Sequence, residues 1–146
     1  MCLYPKGNLK KAKHDIVCYK VMYRTSDNTF HSKFWNTYDS WYIGKFKKGK
    51  FSYYSVNSPD VFGGITGGYI HSYKECCEAI TSCDETVPKA HDELCVVKCI
   101  IPKKTHYYEG LDSSGKYGYA SKKLKIIEVI KYDKHYIKNK VKYIAK

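Results

Sequence analysis

The chain predicts an α+β fold in which a mainly antiparallel sheet carries one or two helices. Three observations predict it. Runs rich in β-branched and aromatic residues, at 16–24, 94–101 and 124–130, stop at turn signals. Only one stretch, after Ser72, has the signature of a helix start. The 146 residues, 43% hydrophobic and 27% charged, suit one buried core, so the chain reads as a single domain with a basic lead-in over 1–15 and a basic tail over 131–146.

Taken in order, the lead-in places Lys10, Lys11 and Lys13 close together after the turn signal Pro5-Lys6-Gly7-Asn8, and partial disorder is expected there. Residues 16–24, Ile-Val-Cys-Tyr-Lys-Val-Met-Tyr-Arg, predict a first strand that ends at Thr25-Ser26-Asp27-Asn28. The stretch 30–54 is densely aromatic. Within it, Lys47-Lys48-Gly49-Lys50 predicts a hairpin turn joining strands at 41–46 and 51–56. A basic, aromatic hairpin can stack bases and hold phosphates; equally, the aromatics can fill one sheet face while the lysines solvate the turn.

Asn57-Ser58-Pro59-Asp60 breaks the chain before the stretch 61–110, which reads as glycine-rich loop, short strand, helix and strand. Ser72 with Glu75 forms a capping-box pattern that predicts a helix over about 73–82, with Cys76, Cys77, Ala79, Ile80 and Cys83 as its small apolar contacts. Residues 94–101 are apolar on both faces apart from Lys98 and predict a buried central strand stopped by Pro102. An Asp112-Ser113-Ser114-Gly115 turn and a strand at 124–130 complete the sheet, and the lysine-rich tail is left open between short helix and edge strand.

The formal net charge of +12 gives a positive field that favours polyanions, phosphorylated ligands or acidic proteins. Arg24 is the only arginine, and the other basic residues are lysines, a skew that an AT-rich genome also produces. Lysine does not replace the planar guanidinium fork in bidentate readout of guanine, so sequence-specific DNA reading is disfavoured. No apolar run serves as a signal peptide or reaches the length of a membrane span, which points to the cytoplasm of a host cell and to no membrane partner. The seven cysteines then read as reduced thiols.

Gly63-Gly64-Ile65-Thr66-Gly67-Gly68 can bring backbone N–H groups near a phosphate, although it matches neither Walker A nor the dinucleotide fingerprint; a flexible turn explains it as well. His71 precedes the expected helix. As a general acid or base it needs Glu109 or Tyr73 within reach. His106, Tyr107, Tyr108 and Glu109 form a polar aromatic cluster beyond the central strand, where ligands often sit in mixed folds. A cleft between the Gly63–Gly68 loop, His71 and this cluster is therefore the expected site, provided that loop and cluster meet. The cysteines lack zinc-site spacing, so no metal is expected.

Tyr42-Ile43-Gly44-Lys45, Gly68-Tyr69-Ile70-His71-Ser72-Tyr73 and Val96-Val97-Lys98-Cys99-Ile100-Ile101-Pro102 together resemble small phage and large-DNA-virus proteins with a "Tyr-x-x-Gly-Lys … Gly-Phe-His-x-Phe" arrangement. That resemblance spans about half the chain and implies no activity. The order glycine, Tyr69-x-x-Ser72, helix with Ala79, strand, then Tyr119-Ala120-Ser121-x-x-Leu124-x-Ile126-x-x-Val129-Ile130 is similar to the second half of ADP-ribosyltransferases. This second resemblance implies an enzyme using NAD, with Glu109 and His71 near the nicotinamide and Arg24 as the early NAD-binding residue. Neither Glu109 nor Glu128 stands in a Glu-x-Glu or Gln-x-Glu pair.

The expectation from charge, tyrosines and the lack of a coherent catalytic set is a phage- or viral-type cytoplasmic protein without a cofactor. It would bind an anionic partner, a nucleotide-like ligand or nucleic acid, and blunt a host defence. The glycine loop, His71, Tyr73, His106, Tyr108, Arg24 and Lys45 are its candidate ligand residues. The NAD-using transferase is the second reading. The third is a module for a host protein partner, with 30–54 as its interface.

Overall fold

The computed structural model describes residues 3–32, 41–48, 69–86 and 93–132. In chain order the elements are β1 (Leu3–Pro5), β2 (Lys10–Lys11), β3 (Ile16–Arg24), β4 (Phe30–Ser32), β5 (Phe46–Lys48), β6 (Ile70–Tyr73), α1 (Cys76–Asp84), β7 (Glu93–Ile101), β8 (His106–Asp112), β9 (Tyr117–Ser121) and β10 (Lys123–Ile130). The strands form one sheet in the order β1-β8-β9-β6-β3-β7-β10-β5, with β2 on β8 and β4 on β3. Every pairing is antiparallel. Among the described residues the molecule is therefore an antiparallel sheet with a single short helix.

β3 and β7 pair over nine consecutive registers, from Ile16 opposite Ile101 to Arg24 opposite Glu93, and make the centre of the sheet. β7 is apolar on both sides because both are covered. Cys95, Val97, Cys99 and Ile101 face one core together with Cys18, Met22, Phe30 and Leu124. Val96 faces the other side, against Ala79, Ile80 and Cys83 of α1. A bulge between Ile126 and Glu128 in β10 resets the alternation. Glu128 thereby emerges beside Lys98, with a 3.9 Å ion pair, while Ile130 turns under the helix.

The sheet has a seam. β6 and β3 share only the Tyr19–Tyr73 register, whereas β6 and β9 share four. The Lys20 ammonium bridges this seam by donating to the His71 carbonyl at 2.8 Å. Ile70 and Tyr119 from one half pack into the same cluster as Cys18, Met22 and Ile126 from the other, so the two halves curl over a shared core.

Three expectations are corrected. The lead-in is structured from Leu3 onward: β1 and β2 follow β8 in register, and Gly7 turns between them at φ +90°. The chain supplies an edge strand because β8 would otherwise leave a row of backbone groups unpaired. The helix starts at Cys76 and not near 73, with Glu75 at its N-cap and no side-chain cap bond. Ser72, 1% exposed, is held inside β6 opposite Tyr119, so its side chain is not available to cap. Lys47 and Lys48 belong to β5, which pairs with β10, and so do not form a turn. The second strand of the expected hairpin, 51–56, lies outside the described residues, as do the 57–60 break and the 133–146 part of the tail.

The other turns follow their chemistry. Asp112 Oδ1 accepts from the Ser114 N–H at 2.9 Å, the Ser114 hydroxyl at 2.7 Å and the Lys116 N–H at 2.9 Å, and Gly115 takes φ +82°. Thr25, Asp27 and Thr29 close the β3–β4 connection with mutual side-chain bonds, and Asn28 adopts φ +64°. Among the described residues no helix is long and apolar enough to cross a membrane.

Candidate anion-binding site

Strand register decides which of the expected site residues meet. Directly opposite residues share a face, and successive residues alternate. His71 lies opposite Ala120, and Ala120 opposite Tyr108, so His71 and Tyr108 flank a buried alanine on one face. Ser72 lies opposite Tyr119, and Tyr119 opposite Glu109, which places Glu109 on the other face. His71 and Glu109 therefore do not converge on one reacting centre.

Glu109 has its own partners. Lys10 and Lys74 reach its carboxylate at 3.4 Å and 3.2 Å. Burial works to raise its pKa, but the hydrogen bonds and charges of the two lysines outweigh burial and hold the carboxyl below its usual range. Tyr119 beside it is pushed above the ordinary tyrosine range, first by burial and then by the Glu109 charge.

Tyr73 is structural. Its buried hydroxyl meets the Ser82 hydroxyl of α1 at 2.9 Å, and burial raises its pKa. Arg24, at the end of β3, pairs with Glu93 at 2.6 Å. Lys45 sits 5.3 Å from the centre of the exposed Tyr42 ring, at the opposite side of the molecule's sheet order from β8. Gly63, Gly64, Gly67 and Gly68 lie outside the described residues.

Among the described residues, His106 borders a concavity. An open depression of about 470 Å³ lies between the β7–β8 and β9–β10 connections. Its charged lining is Lys103, Lys104, His106, Lys122 and Lys123, with no carboxylate among the lining residues. The first connection is held tightly. Thr105 N–H donates to Pro102 O at 3.1 Å, Lys104 N–H to Ala12 O at 2.8 Å and Ala12 N–H to Thr105 O at 2.9 Å. Asp15, the neighbouring acid, accepts the Lys103 N–H at 2.8 Å. Lys104 takes φ +73°, a left-handed conformation uncommon for a residue with a side chain. The second connection is tied to the first by Lys122 N–H donating to His106 O at 3.0 Å.

Two of the lining lysines stand over aromatic rings. Lys122 Nζ lies 4.3 Å from the centre of the Tyr69 ring, which meets Tyr108 edge-on at 5.4 Å. Burial lowers the Lys122 pKa. Lys123 Nζ lies 4.2 Å from the centre of Phe46, and Lys125, directly opposite Phe46 in the β5–β10 register, lies at 5.1 Å. Phe46 is 48% exposed and Tyr42 47%. Phe30 and Trp41 of the same aromatic stretch are buried in the core.

No protein-family model, no curated protein and no solved structure matches the chain, so the site stands on its own chemistry. The four lysines of the depression were not among the residues singled out from sequence. Their signal is present nonetheless: Lys103-Lys104 and Lys122-Lys123 are two lysine pairs, each between an apolar strand and the next.

Proposed function

We propose that the protein binds an anionic partner, a nucleotide-like ligand or nucleic acid, at the depression between the β7–β8 and β9–β10 connections. The observation that carries this reading is the lining itself: four lysines and a histidine without a carboxylate among them. Four like charges held on two tied connections repel one another, and an anion removes that repulsion. Burial lowers the Lys122 pKa, and a phosphate beside this partly desolvated ammonium replaces hydration lost to burial. The left-handed Lys104 adds local backbone strain of the kind that concentrates at functional sites.

An NAD-using transferase that needs His71 and Glu109 at one nicotinamide draws no support from this register. Action in a host cell against a host defence is a further part of the proposal that would follow from identifying the ligand.

The test is a binding titration against labelled single-stranded oligonucleotide and nucleotide as salt is raised. Neutralising about four phosphates on a single strand predicts roughly a 50-fold loss of affinity between about 50 and 200 mM salt. A Lys122→Ala/Lys123→Ala variant should show a shallower salt slope. Absence of binding to both probes at about 50 mM salt would refute the reading.

A further inference from the structure

We propose that the ligand is single-stranded nucleic acid, held with its phosphates in the lysine-lined depression and a base stacked on Phe46. The proposal rests on the anion-binding reading and adds the class of polyanion.

The carrying observation is continuity. Lys123 lines the depression and also stands 4.2 Å from the Phe46 ring centre, so charge and aromatic surface form one strip. Phe46 presents its ring outward from β5, the last strand in the sheet order. In the register Val17–Ile100–Lys125–Phe46, four strands contribute one row on the same side of the sheet as α1, outside the cluster packed beneath the helix. Val17 is 44% exposed in that row. Beyond Phe46, Lys45 stands over the exposed ring of Tyr42 and repeats the same lysine-on-aromatic motif.

The arrangement fits a flexible strand better than a duplex. Paired bases keep their faces inside the stack, where an exposed ring does not reach them; a single strand offers its π-faces directly. Lysines placed over the rings in the free protein leave them for phosphates when a base arrives, an exchange favoured because stacking exceeds an exposed cation–π contact. Lysine contacts and a stacking ring carry no base-edge code, so binding should tolerate sequence. A purely protein partner would have no use for the carboxylate-free lining beside the ring unless it were strongly acidic, and the polyphosphate control below separates charge from stacking.

The experiment compares three probes by fluorescence anisotropy at one salt concentration: an oligothymidylate of about 12 nucleotides, the corresponding duplex, and inorganic polyphosphate of similar charge. The oligothymidylate should bind most tightly. Phe46→Ala should weaken it by about five- to a hundred-fold while leaving polyphosphate binding in place, and Phe46→Tyr should restore it. Phe46→Leu, which keeps an apolar side chain in β5 without a ring, should behave like the alanine variant; all variants are checked by thermal melting. If polyphosphate binds but the oligothymidylate gains nothing over it or over the duplex, or is indifferent to Phe46→Ala, the single-strand proposal is overturned and anion binding stands. If none of the probes binds, both readings fail.

Discussion

At the scale of single residues, alternation along a strand settled questions that residue type left open. Glu109 and Tyr108 are neighbours in sequence, yet they face opposite sides of β8 and belong to different environments. Glu109 serves the fold: two lysines from distant segments, Lys10 and Lys74, converge on it at a quarter exposure. Its folded pKa is depressed, so its stabilisation is present above the ordinary glutamate range and disappears as pH falls through the folded value. Glu109→Gln should therefore lower stability at pH 7 by about 0.5–1 kcal/mol, and the gap to the native protein should close toward about pH 3. Paired denaturant melts across that range check it; a gap independent of pH would show that the ion pairs contribute nothing. His71 and Glu109 could be nominated as partners from sequence because both are chemically able; only the register separates them.

At the scale of elements, the strands with uninterrupted β-branched content were legible almost to the residue. β3 spans the predicted 16–24, β7 begins one residue earlier than predicted at Glu93, and β10 one residue earlier at Lys123. Their hydrophobic runs report burial directly. The elements that were misread are those whose state depends on a distant partner. Ser72 and Glu75 have the spacing of a capping box, but β9 claims Ser72 as a strand residue and delays the helix to Cys76. The lead-in has little apolar content of its own; it is ordered by β8, against which Lys6 N–H bonds Glu109 O at 2.7 Å. Gly110 makes that pairing possible, since a Cβ there would overlap the Tyr4 carbonyl oxygen. Gly110→Ala should cost about 1–3 kcal/mol, seen as a lower Tm and faster hydrogen exchange in β1 with β7 still protected. Unchanged exchange in β1 would mean that the two strands are not packed this closely.

At the scale of the molecule, two half-sheets joined at the narrow Tyr19–Tyr73 seam share one core, and the cysteines report on it. Cys18, Cys95 and Cys99 are buried, whereas Cys77 is exposed on α1. Burial pushes the Cys95 thiol up to about 12 and that of Cys99 well above its ordinary value, which suppresses the reactive thiolate. Site-resolved alkylation should modify Cys77 in the native protein and reach Cys18, Cys95 and Cys99 together, only across the global unfolding transition. Separate release of Cys99 and Cys95, which share β7, would indicate that this half of the sheet opens in stages. The same curvature sets the surface, because it brings the β7–β8 and β9–β10 connections side by side and gathers Lys103, Lys104, Lys122 and Lys123 around one depression. By itself the sequence determined the antiparallel, sheet-dominated class, the three long strands, the Asp112–Gly115 turn and the net positive charge, because each follows from local composition, hydrophobic pattern or summed charge. The tertiary structure alone decided which residues share a face, where the helix begins and which lysines line one depression. Those depend on pairings between segments up to about a hundred residues apart, such as Lys10 with Tyr107, and no local pattern encodes a register.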